Sequence, residues 1–512
     1  MPLGGAPYRV RSSGGPDLEA TALRAAIAQS VAELAQLTAT AGGDGAAMLE
    51  FQIAMLEDEA LTELTFASIA AGSAAEAAWT ATLNEQVAIY EMADDQYFRA
   101  RSADLRDIRD RVLRALAGAE EARPSAGAIL AGDDITPSQF LAADWSKGGG
   151  IALRRGSAAS HVAMLARARG VPMLVGLAGL PLTSARTALV DAEEGTILLD
   201  PTDESRAHFR MRKGAGADRQ ERAAGVARNP AITADGTRIS VHVNVAEPGD
   251  IATLDVQTCD GVGLMRSEFL YRHGLPDEET QLEAYRRVVR WAMGRPVVIR
   301  TVDAGGDKPV PGFTVEESNP FLGLRGIRLA LAKEEVFRVQ IRALLRVAVE
   351  GNVSVMFPMV SVADENEAAK ALFLQEAQVL GARGVAYRMP SLGIMVEVPA
   401  VAIAPELLGV AAFYSIGSND LTQYVMAAGR DNGAVAGLND AAHPAVLSLI
   451  RNVVRVGTEH GIPVSLCGDA GGDPAALPAL LETGLRSVSV APAQLPLAKL
   501  AISGVSLGSN HG

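Results

Sequence analysis

A chain of 512 residues is too long for a single hydrophobic core and implies two to four domains. With 48% hydrophobic and 21% charged residues it has the composition of an ordinary globular protein, and its net charge of −14 argues against a nucleic-acid groove as its main business. The two cysteines, Cys259 and Cys467, lie far apart without CxxC spacing, which supports neither a disulfide framework nor a zinc site. Met1 is followed by no charged-then-apolar leader and no apolar span reaches bilayer length, so the expectation is a cytoplasmic protein with no membrane partner.

Residues 1–16 are Gly- and Pro-rich and hold at most one strand. From Asp17, a plausible N-cap, to about Gly118 the pattern is helical. One apolar stripe uses Met48, Phe51, Met55 and Leu56. A third helix is expected from about Ala75 to Leu116, with Leu105, Ile108, Val112 and Leu116 inward and the pairs Asp107–Arg111 and Asp110–Arg114 on its outer face. This bundle carries no catalytic constellation of its own. After Pro124 short strand signals at 127–131, 150–153, 173–175 and 188–191, with a helical run from Val162 to Arg169, describe a small α/β domain. Its small-residue loop, Gly156 to Ser160, opens onto His161 at a helix start, where backbone N–H groups would favour a phosphate carried on the imidazole. Taken alone, His161 reads more simply as a helix cap. The charged, Ala/Gly-rich stretch from Arg210 to Asn229 reads as an exposed helical linker.

Beyond it, eight strand-like runs recur with helices between them, at 239–245, 261–265, 297–302, 353–359, 392–396, 413–416, 464–466 and 487–490. That count and span are those of a (β/α)8 barrel, whose strand ends converge on one face. Placed there are Arg266, Glu268, Arg300, Asp303, Met359, Glu397, Asn419, Asp420 and Cys467, with Arg325 and Arg430 on following loops or helix starts. Glu397 and Asp420 end neighbouring apolar runs, where desolvation costs several kcal/mol unless a positive partner is present. Two carboxylates there make a hard-cation site the better reading, and so few oxygen ligands suit Mg²⁺. The arginines fit a polyanion. Cys467 is placed to donate a proton, although a buried cysteine is also a common small hydrophobe.

Ten stretches spanning nearly the whole chain resemble enzyme I of the bacterial phosphotransferase system. They include SHVAMLARARGVPMLVG around His161, GLMRSEFLY at 263–271, VIRTVDAGGDK at 298–308, GIMVEVPA at 393–400, SIGSNDLTQY at 415–424 and LCGDAGGD at 466–473. The barrel motifs are shared with pyruvate phosphate dikinase and phosphoenolpyruvate (PEP) synthase; LRDIRDRVLR in the helical segment points to enzyme I, and that segment is too short to hold an ATP-grasp domain. The resemblance implies a multidomain α/β protein: 1–16 as the first segment of a phosphohistidine domain, 17–118 as an inserted helical bundle that binds the carrier protein, 119–207 as the phosphohistidine domain, 208–232 as a linker and 233–512 as the PEP-binding barrel. It further implies that His161 takes the phosphoryl group and that Arg266 and Arg300 grip the phosphate, with Arg325 nearby as a further substrate-binding arginine. Glu397 and Asp420 would bind Mg²⁺, Asn419, Asp420 and Arg430 would contact substrate, and Cys467 would protonate the enolate. The implied partners are PEP and pyruvate, a small histidine carrier such as HPr, and a second copy of the chain through the barrel. Ala159 stands where the family has Thr, Asp469 where it commonly has Glu, and Gly429 where Asp normally precedes the arginine. The other readings are a dikinase-related PEP enzyme and a regulatory phosphoprotein.

Overall fold

In the computed structural model the residues described are 2–3, 14–41, 43–92, 96–119, 124–155, 161–182, 185–192, 194–272, 274–306, 310–429 and 435–508. The chain forms two compact units, Met1–Lys213 and Gly214–Gly512.

The first unit opens with β1 (Pro2–Leu3) and the helices α1 (Pro16–Ala41), α2 (Gly43–Glu57), α3 (Glu59–Ala70), α4 (Ala75–Met92) and α5 (Gln96–Leu116). Leu23 and Leu34 of α1, Trp79 and Leu83 of α4, and Ile108 and Val112 of α5 share one buried core. Two expectations are corrected here. The single helix from Ala75 to Leu116 is two helices that fold back on each other: the Trp79 Nε1–H donates to the Arg109 carbonyl at 3.2 Å and Arg109 Nη1 to Asn84 Oδ1 at 2.6 Å. The proposed outer face is also largely interior, with Asp107 3% and Arg111 2% exposed. Asp107 accepts hydrogen bonds from Gln52 Nε2 and from the Ser138 backbone N–H and hydroxyl, while Arg111 pairs with Glu33 at 2.8 Å, so each buried charge is compensated.

The α/β part of this unit has β2 (Ile129–Gly132), α6 (Pro137–Ala142), β3 (Gly150–Leu153), α7 (His161–Ala168) and β4 (Met173–Leu174). Strands β1, β2, β3 and β4 form a parallel sheet in that order. An antiparallel pair follows, β5 (Ala188–Asp191) with β6 (Thr196–Leu199). Leu130, Phe140, Ile151, Leu153, Val162 and Leu165 pack together, joined by Met48 of α2. Helix α8 (Asp203–Val226) buries only Ala223 and contains the boundary between the two units, inside the range 208–232 expected as a linker.

The second unit is a closed parallel barrel. A short β7 (Ala231–Ile232) pairs antiparallel with β8 (Arg238–Val245). The barrel then runs through β9 (Val262–Met265), β10 (Val297–Arg300), β11 (Val353–Phe357), β12 (Ser391–Val396), β13 (Tyr414–Ile416), β14 (Val464–Leu466) and β15 (Ser487–Val490), and β15 closes onto β8. Helices α9 (Glu278–Trp291), α10 (Ile327–Ala332), α11 (Glu334–Val347), α12 (Ala363–Ala382), α13 (Pro399–Ile403), α14 (Ser418–Met426), α15 (Pro444–His460) and α16 (Leu477–Glu482) connect the strands, and α17 (Leu495–Ser503) follows the last of them. Alternation along β8 explains the two sides of the wall: Ile239, Val241, Val243 and Val245 are buried in the large core against the helices, and the intervening His242 and Asn244 belong to the opposite face. A separate cluster of Leu264, Met356, Met395 and Cys467 comes from the inward positions. The helices dock by apolar stripes, α11 through Phe337, Ile341, Leu344 and Leu345, all 0% exposed. Truncating one of them, as in Leu344→Ala, removes about 2–5 kcal/mol by leaving a cavity. No described helix is long and apolar enough to cross a membrane.

Candidate active site

The C-terminal ends of the barrel strands bring together groups that are far apart in sequence. Arg300 is the last residue of β10, and Glu268 follows β9 in a short 3-10 turn. Arg300 Nη2 donates to Glu268 Oε1 at 2.9 Å, and its Nη1 lies 3.2 Å from Asp303 Oδ2. The Asp303 N–H also donates to Glu268 Oε1, at 2.8 Å, which fixes that carboxylate against the loop after β10. Arg325 precedes α10 and carries its planar fork between two acids: Nε and Nη2 donate to Asp303 at 3.0 Å each, and Nη1 and Nη2 donate to Asp420 at 3.1 and 3.2 Å. Tyr424 accepts from Arg325 Nη1 at 3.3 Å and donates to the Phe321 carbonyl at 2.6 Å.

Glu397 follows β12 and is 1% exposed. Its Oε1 accepts the Met359 N–H at 2.7 Å, and Met359 itself has a left-handed φ of 58°. That conformation is uncommon for a residue with a side chain and aims the amide at the acid. Burial first, then the charges of Asp420 and Asp303, raise the Glu397 carboxyl well above the ordinary range, against the opposing pull of Arg300 and Arg325. Burial pulls the two guanidiniums down, but the surrounding carboxylates outweigh it and hold both above the usual arginine value. Four acids (Glu268, Asp303, Glu397 and Asp420) thus surround two buried arginines. The imbalance invites a further cation, and Glu397 and Asp420 are the residues whose position and hard oxygen donors fit one. Among the described residues no group of three His, Cys, Asp or Glu side chains forms a complete metal cage. A hard divalent cation that draws its other ligands from water fits two carboxylates.

Cys467 is the first residue after β14 and 3% exposed. Its thiol is 3.7 Å from the Ile416 carbonyl, to which it donates, and burial pushes it up to about 11 while Ser415, Arg300 and Arg266 pull it down. The next residue, Gly468, has to be glycine: an added Cβ would lie 1.8 Å from Ser418 Oγ and 2.8 Å from the Ser418 backbone nitrogen. Gly417 likewise leaves room for Glu397, whose Oε2 would sit 3.0 Å from a Cβ there. Asn419 is engaged in a reciprocal pair with Asp469, its Nδ2 donating to Oδ2 at 2.8 Å and its Oδ1 accepting the Asp469 N–H at 2.9 Å.

Of the residues proposed from sequence, Arg300, Arg325, Glu397 and Asp420 form one charged cluster, with Cys467 beside it and the half-buried Arg266 opening the loop after β9. His161 begins α7 in the other unit. Arg430 and the loop 156–160 lie outside the described residues. Asp303 and Glu268, noted in sequence only as strand-end residues, hold the arginines in place. Tyr424 ends the SIGSNDLTQY motif, and nothing local in the sequence marks it as a partner of Arg325.

Three family models match: PEP-utilising enzyme, PEP-binding domain, over residues 220–507; PEP-utilising enzyme, N-terminal, over 5–101; and PEP-utilising enzyme, mobile domain, over 124–195. Among curated proteins the chain is similar to a phosphoenolpyruvate-protein phosphotransferase of Geobacillus stearothermophilus, 36% identical over 95% of this chain and 87% of that one. It is also similar to the protein of that name from Bacillus subtilis, 35% identical over 93% and 87%. A solved N-terminal domain of Enzyme 1 - Nitrogen matches 40% of this chain and 87% of that one, at 26% identity and a TM-score of 0.31.

Proposed function

The chain belongs to the PEP-utilising enzymes, among the phosphoenolpyruvate-protein phosphotransferases, and on that premise we propose how its own residues move a phosphoryl group from PEP to a protein histidine. The observation that carries the reading is the buried cluster of Arg300, Arg325, Glu397 and Asp420 at one end of the barrel, inside the segment matching the PEP-binding domain. The arginine forks are suited to phosphate oxygens, which accept two parallel N–H bonds as a carboxylate does. Arg266, Arg300 and Arg325 take the phosphate of PEP in this reading, with Asn419, Asp420 and Arg430 completing the substrate contacts. Glu397 and Asp420 would hold Mg²⁺, which when bound neutralises the phosphate and carboxylate oxygens of the substrate.

Neutral His161 attacks phosphorus in line, because phosphoryl transfer asks for a positioned nucleophile and screened charge more than for covalent help. The departing enolate is protonated on carbon by Cys467, whose raised pKa of about 11 keeps the thiol protonated throughout the neutral range. The phosphoryl group then passes to a small histidine carrier of the HPr type, received by the helical part of the first unit. The working form is a homodimer through the barrel in the cytoplasm, a setting that suits two free, buried cysteines.

Incubation with labelled PEP and Mg²⁺ tests this. One base-stable, acid-labile phosphate should appear per chain, be absent from His161→Gln, and drain away on addition of HPr. Label that survives His161→Gln, or that appears only with ATP, contradicts the assignment.

A further inference from the structure

The proposed acid is buried, and each net turnover leaves it as a thiolate that must regain a proton. Strand alternation places a set of hydroxyls behind it. Tyr414 and Ile416 of β13 and Leu466 of β14 pack outward into the large core, so Ser415, Ser465 and Cys467 share the inner face of adjacent strands. Ser415 is the direct register partner of Ser465, and Ser465 Oγ donates to Ser415 Oγ at 3.4 Å. Ser415 is 1% exposed, whereas Ser465 is partly exposed. Register sets Ser415 diagonally across from Cys467 on this face, and Ser415 pulls the thiol's pKa down, toward the thiolate. The belt continues around the barrel: Leu466 is in register with Val488, which sets Ser487 beside Ser465, and Ser487 Oγ lies 3.4 Å from His242 Nδ1. Serine hydroxyls both donate and accept, so such a row conducts a proton without holding a charge.

We propose that Ser465 and Ser415 form a relay through the barrel interior that returns a proton to Cys467 after each enolate protonation. This rests on the reading of Cys467 as the acid. In the chemical step the Cys467 S–H bond breaks as a C–H bond forms on the enolate carbon. In the return step the Ser415 O–H bond breaks as S–H re-forms, Ser415 oxygen takes the Ser465 hydroxyl proton, and Ser465 takes a proton from solvent water, leaving hydroxide to the buffer. Neither serine touches the substrate in this scheme; both are positioning residues that act through the cysteine.

The test compares two exchanges in one sample of intact enzyme with Mg²⁺, PEP and pyruvate in D2O. Carbon label passing between pyruvate and PEP needs no new proton, because the thiolate can recover one from the methyl group of incoming pyruvate. Deuterium entering that methyl group needs the sulfur to exchange with solvent. In the native enzyme both proceed. In Ser415→Ala carbon exchange should stay within about twofold while deuterium entry falls at least about tenfold, a modest share of the roughly 10²–10⁴-fold that a positioned proton donor supplies. Ser415→Thr should restore it, and Ser465→Ala, at a more exposed and tolerant site, should give the same uncoupling if Ser415→Ala folds poorly. Equal loss of both exchanges in Ser415→Ala and Ser465→Ala, or unchanged deuterium entry in either, overturns the relay. Absence of carbon exchange in the native enzyme would instead overturn the catalytic reading beneath it.

Discussion

The barrel carries two networks of arginine and carboxylate that look alike as lists of residues and differ in every physical respect. On its flank, Arg338, Arg342 and Arg346 of α11 pair with Glu376 of α12 and Glu278 of α9 at 2.6–2.8 Å, with arginine side chains 17–28% exposed. At its mouth, Arg300 and Arg325 are 5% and 1% exposed and pair with Glu268, Asp303 and Asp420, Asp303 being shared by both. The flank pairs to the partly exposed Glu278 are screened by water and worth about 0–1 kcal/mol each, while Glu376 is itself buried; together they staple neighbouring helices. The mouth pairs are dry, and removing one partner there leaves an uncompensated buried charge. Burying more acid than base is poor design for stability and good design for receiving a cation and a phosphate.

Metal removal should separate the two networks most sharply. Chelation is expected to abolish labelling from PEP while leaving the circular dichroism of the barrel intact, and Mg²⁺ with PEP at about 100 times the dissociation constant should stabilise the native state by about 2.7 kcal/mol, read as a rise in Tm. Unchanged labelling in chelator would remove the cation from the account. Next in size is Arg300→Lys, which keeps the charge and loses the fork. Activity should fall by roughly 10²–10³, the cost typical of deleting one preorganised donor to a developing charge. The same change on the flank, Arg342→Lys, should leave kcat within about twofold and lower stability by about 1 kcal/mol or less. Comparable activity losses in the two variants would dissolve the distinction between the networks.

The smallest effect concerns acid. Burial raises the Glu278 carboxyl, but hydrogen bonds from Arg342 and Arg346 outweigh it and set it below its ordinary value of 4.5. A carboxyl depressed in the folded state contributes stability that is present above the unfolded value and is lost as pH falls through the folded one. Thermal melts between pH 6 and pH 3 should therefore show a shallower acid decline for Glu278→Gln than for the native chain, by a few tenths of a kcal/mol. A steeper decline would reverse the sign assigned to this pair.

How much of this was legible beforehand follows from what each signal depends on. The eight barrel strands were readable because buried parallel strands are continuous apolar runs, and Glu397, Asp420 and Cys467 were readable because they interrupt or follow such runs. The division into α4 and α5 was not, since Ala93-Asp94-Asp95 contains no Gly or Pro and the helical period of the sequence runs through it unbroken. Asp107 and Arg111 have the i,i+4 spacing of a surface pair. Only tertiary contacts with Gln52, Ser138 and Glu33 make their burial tolerable. The sharing of Arg325 between Asp303 and Asp420 joins residues 22 and 95 positions apart, which no local pattern encodes. The barrel's inner hydroxyls were hidden for another reason: a serine in a strand carries no signal until the register shows which serines face one another.

The mouth, and not the flank, is the proposed PEP cradle. Calorimetric titration of PEP with Mg²⁺ into His161→Gln protein, which on the proposed mechanism cannot turn over, tests this when Arg300→Lys or Arg342→Lys is added. One PEP bound per chain, lost with Arg300→Lys and kept with Arg342→Lys, is the predicted result; binding that survives Arg300→Lys at full affinity contradicts it.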